Sequence, residues 1–121
     1  MKPLLPAHPS TIDDDAARLQ ALRLLAEQPQ LSQRRLSQAL GLSLGKTHYL
    51  VHALLDKGQL KARNFRRSDR KLAYAYLLTP AGLREKMRLT RAFLTRKEAE
   101  FERLQSTIAE LRAEVEQAAK P

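Results

Sequence analysis

The sequence predicts a mainly α domain with one small β-hairpin, followed by a long C-terminal helix. Three observations carry that expectation. Two short helix-forming segments, at residues 33–40 and 44–57, are separated by a Gly-Leu-Ser turn. "GQLKARNF" reads as a strand, "RRSDRK" as a polar, basic loop and "LAYAYLL" as a returning strand. From Leu83 to Ala119 no strong helix breaker occurs, and Met87, Leu94, Phe101, Ile108 and Val115 recur every seven residues.

The elements follow in order. The opening "MKPLLPAHPS" has three prolines and no continuous apolar run, so residues 1–10 read as a flexible arm and not as a signal peptide. Ser10 or Asp13 can cap a first helix, and Asp13, Asp14 and Asp15 suit its positive end. Leu19, Leu22 and Leu25, with Ala26 beside them, form its apolar side. Pro29 disfavours helical geometry at Gln28 and stops it. Ser32 caps the second helix, "QRRLSQAL", whose expected apolar face is Leu36, Ala39 and Leu40, and Gly41 breaks it. Ser43 caps the third, which runs to about Lys57. There Thr47, Leu50, Val51 and Leu54 make one stripe to bury, and Gly58 ends the helix. On the second strand, Leu72, Tyr74, Tyr76 and Leu78 share one face by period two. These large residues are expected to cover the helices, with Ala73 and Ala75 facing out.

Thr79 caps the last helix and Pro80 sits in its first turn. Continuous from Thr79 to Glu116, it would span roughly 57 Å, more than a small domain needs. Leu83, Leu104 and Leu111 occupy a second seam position, which Thr90 and Lys97 interrupt. Such a seam needs a partner helix, and a second copy of the chain is the expected source, through Met87, Leu94, Phe101, Leu104, Ile108, Leu111 and Val115. Residues at the flanking positions (Glu98, Glu100, Gln105, Arg112, Glu114) are mixed and leave parallel and antiparallel pairing open. The expected organisation is an arm over 1–10, a compact domain over 11–79 and a dimerisation helix over 80–118.

Charge narrows the function. The chain of 121 residues carries a formal net charge of +9, which favours an acidic partner. Seven basic residues lie between Lys57 and Lys71 against Asp69 alone, and six between Arg84 and Lys97 against Glu85. From Glu98 to Glu116 the balance reverses, with six glutamates against Arg103 and Arg112. Two short helices joined by a Gly turn mark a helix-turn-helix, although plain bundle packing uses the same pattern. The basic hairpin that follows completes the order of a winged helix-turn-helix domain.

On the third helix, the face opposite the buried stripe carries Gly45, His48, Tyr49 and His52, with Lys46 at its margin. A recognition helix places such residues against base edges in the major groove of double-stranded DNA. Ser43 and the helix N-terminus can take a phosphate, and Gly45 permits close approach. On the wing, Arg66, Arg67, Arg70 and Lys71 can reach phosphates or a minor groove, and Arg34 and Arg35 can add backbone contacts. Asp69, an acid among these bases, is expected to position a neighbouring arginine by a salt bridge.

Other classes find little support. Cysteine is absent, which excludes disulfides and cysteine catalysis. No apolar run reaches membrane-spanning length, and a cytoplasmic location with no membrane partner is expected. No nucleophile stands near a base at a recognisable spacing, and there is no Gly-rich phosphate loop, so enzymatic activity is not expected. His48 and His52 are four apart but lack a third ligand, so neither a metal nor another cofactor is expected.

"LSQRRLSQALGLSLGKTHYLVHALLDKGQLKARNF" followed by "RSDRKLAYAYLLTPAG" resembles the MarR family of winged-helix regulators, most closely its branch of EPS-associated transcriptional regulators. Asp69 and Arg70 match that family's acid and arginine on the wing. Leu78, Thr79 and Gly82 match its "LTxxG" turn. The resemblance implies a homodimer on a pseudo-palindromic operator, usually a repressor, and an association with bacterial exopolysaccharide biosynthesis loci. It identifies no effector. The alternatives are a winged-helix protein-interaction scaffold and a low-specificity architectural DNA-binding protein.

Overall fold

The computed structural model describes residues 11–121, with side chains from Asp14 onward; the expected arm and the caps at Ser10 and Asp13 lie outside these. The order is α1 (Thr11–Glu27), α2 (Gln33–Leu40), α3 (Leu44–Asp56), β1 (Leu60–Arg66), β2 (Leu72–Leu78) and α4 (Pro80–Ala119). Two compact units divide the chain, one reaching Leu89 and the other running from Thr90 to Pro121. The first ten residues of α4 therefore belong to the helix-and-hairpin unit.

Local chemistry sets these limits. Ser32 and Ser43 sit in extended backbone, and each side chain accepts a hydrogen bond from the amide three residues on, at 3.1 Å, satisfying a donor that a helix start leaves unpaired. Both helices end alike. Gly41 (φ +70°) and Gly58 (φ +71°) adopt left-handed backbone, while the next residue's amide reaches back to Ser37 O (3.1 Å) and Leu54 O (2.9 Å). At the start of α4, Thr79 Oγ1 accepts from Gly82 N at 3.1 Å and donates to Gly58 O.

The core holds Leu19, Leu22 and Leu25 of α1 together with Leu36, Val51, Leu54, Leu60 and Leu89, all buried. Thr47 is buried as expected and its hydroxyl donates to Ser43 O at 2.9 Å; Leu50 is only partly covered. Two expected core positions are corrected. Ala26 and Ala39 are exposed, while Ala21 and Ser37 are buried instead. Ser37 can be buried because its hydroxyl donates to Arg34 O at 2.7 Å.

The hairpin pairs antiparallel, Leu60 opposite Leu78 through Arg66 opposite Leu72. Its expected facing is also corrected. Leu72 and Tyr74 are 67 % and 59 % exposed, whereas Ala75 and Tyr76, neighbours on opposite faces, are both buried. Burial here follows distance from the helices and not the alternation alone. At the base of the hairpin the free edge of β2 is also held, because Tyr76 N donates to Pro29 O at 2.9 Å in the α1–α2 connection. Its outer half extends past that support.

Candidate nucleic-acid interface

The expected contact residues fall on two surfaces of the first unit. On α3, Gly45, Lys46, His48, Tyr49 and His52 are all exposed, and Tyr49 reaches 78 %. The stripe buried on the opposite side fixes which way this face looks. Exposed Leu44 joins it at the helix start, where the amides of Leu44 and Gly45 have no helical acceptor. Ser43's own oxygen is used in capping, so an anion there would be held by main-chain donors. The His48 and His52 rings lie 4.1 Å apart, centroid to centroid, tilted by 48°.

Gln33 is a residue that sequence reasoning missed. Its Oε1 lies 3.3 Å from His48 Nδ1, and its Nε2 donates to Tyr76 Oη at 3.1 Å. One amide thus ties α3 to the base of the hairpin and orients the imidazole. No local signal reveals it, since its partners lie 15 and 43 positions away. Gln33, Arg34, Leu44, Gly45 and His48 line one shallow hollow between α2 and α3, so Arg34 joins the recognition face.

The wing tip is the second surface. Arg67 N donates to Lys71 O and Arg70 N to Arg67 O, both at 2.9 Å, closing a short turn in which Arg70 takes φ +66°. That is the position glycine ordinarily fills in such a hairpin. Asp69 explains how an arginine is held there. Its carboxylate accepts from the Arg67 guanidinium and, at 3.1 Å, from Lys71 N. The Arg67 hydrogen bond first, then the Lys71 amide, hold the Asp69 carboxyl below the usual aspartate range. The salt bridge expected of Asp69 is therefore formed, and Arg67 is its partner. Arg66 donates to Arg70 O at 3.4 Å. Among the described residues, no other basic residue of the wing is ion-paired, which leaves the Arg66, Arg70 and Lys71 charges available. Arg35, the remaining α2 arginine, lines a different groove with Arg63, Phe65 and Arg67.

The residues expected in dimerisation are all exposed. Leu83, Met87, Leu94, Phe101, Leu104, Ile108, Leu111 and Val115 are the large hydrophobics that α4 leaves open, each at 38 % or more. All eight lie on the seam read from the sequence. Among the described residues no group of three or more metal-ligating side chains occurs, and no helix is long and apolar enough to cross a membrane.

Comparison with known proteins agrees with this geometry. Residues 14–61 match a family model described as winged helix-turn-helix DNA-binding. No curated protein matches the chain. Among solved structures, the transcriptional regulator PcaV of Streptomyces coelicolor, in complex with its natural ligand, is similar at a TM-score of 0.60 and 20 % identity, over 97 % of this chain and 81 % of that one. A MarR/EmrR family transcriptional regulator of Acinetobacter sp. ADP1 gives 0.54 and 23 %, covering 83 % and 75 %. The Mycobacterium tuberculosis MarR family protein Rv2887, in complex with salicylic acid, gives 0.52 and 20 %, covering 79 % and 84 %. Residues 14–61 are thus similar in sequence to winged helix-turn-helix DNA-binding domains, and the chain carries the fold of the MarR-family transcriptional regulators.

Proposed function

We propose that this protein is a sequence-specific transcriptional regulator, acting as a homodimer on a pseudo-palindromic site in double-stranded DNA. The observation that carries the reading is the face of α3. Tyr49, His48, His52 and Lys46 stand outward on a helix whose other side buries Thr47, Val51 and Leu54 in the core. An aromatic ring exposed to 78 % does nothing for folding. Beside base edges, that phenol and the two imidazoles can donate or accept hydrogen bonds, and Lys46 can donate to guanine or phosphate. The wing supplies charge that positions without reading sequence. The exposed seam of α4 supports pairing with a second copy. Repression is the outcome we propose, and the resemblance to EPS-associated regulators directs the search for operators to exopolysaccharide genes.

Recovery of genomic fragments on the purified protein at near-physiological salt tests this. A narrow set of enriched sites, each with two related half-sites, is expected. Even coverage of the genome would instead indicate a coating protein, and no recovery at all a protein-binding scaffold.

A further inference from the structure

Resting on the homodimer proposed above, we infer that two α4 helices pair antiparallel along their full exposed seam, with the two-fold axis near residue 99. Three independent features of the helix meet at that point. The exposed apolar residues run from Leu83 to Val115, and residue 99 is their midpoint. Charge changes sign between Lys97 and Glu98: six cations against Glu85 on one side, six glutamates against Arg103 and Arg112 on the other. Lys97, the one charged residue on the seam, lies two residues from the same midpoint.

Orientation follows from the charges. In a parallel pair each half of α4 lies beside its own copy, cations along cations and glutamates along glutamates. Lys97 would then meet the partner's Lys97 inside the apolar seam, where water cannot screen the repulsion. Reversing one helix lays each basic half along the partner's acidic half. At the flanking positions Lys86 then lies beside the partner's Glu114 and Arg84 beside the partner's Arg112, so the preference rests on the net charge of the two halves and on Lys97. Lys97 faces the partner's Phe101 and comes within reach of the partner's Glu100, whose own chain already holds Lys97 Nζ 3.3 Å from Glu100 Oε1. The Glu98 pair and the Glu100 pair approach across the axis, with both Lys97 ammonium groups between them.

Register follows from the apolar residues. Centred at residue 99, Leu83 meets the partner's Val115, Met87 the partner's Leu111, and Leu94 the partner's Leu104. Thr90, the polar interruption, meets the partner's Ile108. All eight exposed apolar side chains of α4 are then covered in knobs-into-holes fashion. A register centred at residue 106, on the stretch Phe101 to Leu111, would leave Leu83 and Met87 facing positions past Ala119, where α4 ends.

The absence of cysteine makes the test direct. Single variants Ala99→Cys and Ala113→Cys, both exposed and off the seam, each carry one nitroxide. Distances between the two labels of a dimer are measured by pulsed electron resonance, with sedimentation on the same samples. At 1.5 Å per residue the inferred pairing gives no axial separation at position 99, leaving only the width across the pair, and an axial separation of about 42 Å at position 113. Short distances at both positions overturn the antiparallel orientation. Equal distances at both positions that exceed the width of the pair by an axial component of about 21 Å overturn the register, since an axis at residue 106 requires that. A sedimenting dimer with no coupling at either site overturns α4 as the shared surface. A monomer overturns the homodimer itself, which separates that failure from a wrong orientation.

Discussion

At the scale of single residues, two glycines on helices act in opposite ways. A Cβ built on Gly82 would lie 2.0 Å from Gln59 O, a main-chain atom that already accepts from Thr79 N at 3.1 Å and cannot swing aside. Gly82→Ala is therefore expected to lower stability by about 3 kcal/mol, read from the urea midpoint. Gly45 has nothing within 4 Å of the same construction. Alanine fits there, in helical backbone that glycine weakens, so Gly45→Ala should raise stability by up to about 1 kcal/mol. The same change should cost at least about tenfold in DNA affinity, because a methyl group is added on the recognition face where the helix start approaches phosphate. A variant more stable and equally tight would remove this turn from the interface. The sequence pointed to Thr79, Gly82 and Gly45 as special. It could not say that Gly82 answers to a carbonyl 23 positions earlier, because that contact exists only once α4 is seated. Gln33 is the same case. Its amide links His48 and Tyr76, which no spacing along the chain brings together.

At the scale of elements, helices were more legible than the hairpin. The limits of α2 and α3 follow from Ser32, Gly41, Ser43 and Gly58, whose reasons are local. Which side of β2 is buried is not a local property. Period two told the two faces apart, but burial depends on how far the helices reach, so Tyr76 is covered and Tyr74 is not. The joining of α4 to α1 was not legible either. Glu85 accepts two hydrogen bonds from Arg88, both at 2.8 Å, and lies 3.4 Å from Arg18 of α1, which also pairs with Asp15 at 2.7 Å. The Arg88 hydrogen bonds, more than the neighbouring charges of Arg18 and Lys57, hold the Glu85 carboxyl below the ordinary value of 4.5, against partial burial that pushes it up. Because the folded value is depressed, the stability this carboxylate contributes is present above 4.5 and is lost as pH falls through the lowered value. Glu85→Gln should thus cost about 1 kcal/mol near pH 7, with the difference from the parent shrinking toward zero by about pH 2. Denaturant melts across that range check the sign, and a gap that widened in acid would contradict it.

At the scale of the whole molecule, the seam decides how strongly the reading heads act. One winged unit offers few unpaired cations, since Arg67 is already committed to Asp69. Binding that neutralises few phosphates is weak at physiological salt. Joining two units converts the second docking into an intramolecular event and multiplies affinity by orders of magnitude with no new kind of contact. The seam can be broken without touching the fold of a single chain, because Leu104 is 57 % exposed and lies outside the helix-and-hairpin unit. Leu104→Lys places a charge on the seam of each copy, four residues from Glu100 in sequence but within an apolar contact it cannot leave. The variant should sediment as a monomer with an unchanged helical signal. Its affinity for a two-half-site duplex should fall at least about a hundredfold. The slope of log affinity against log salt should drop to about half, since each counterion released corresponds to one phosphate engaged and half of them are lost. These two readouts separate the causes of weaker binding. Damage to the recognition face alone would lower affinity with the slope kept, whereas loss of the partner lowers both together. A monomeric variant that kept the parent's slope would show that one unit makes every phosphate contact and that the second copy serves another purpose.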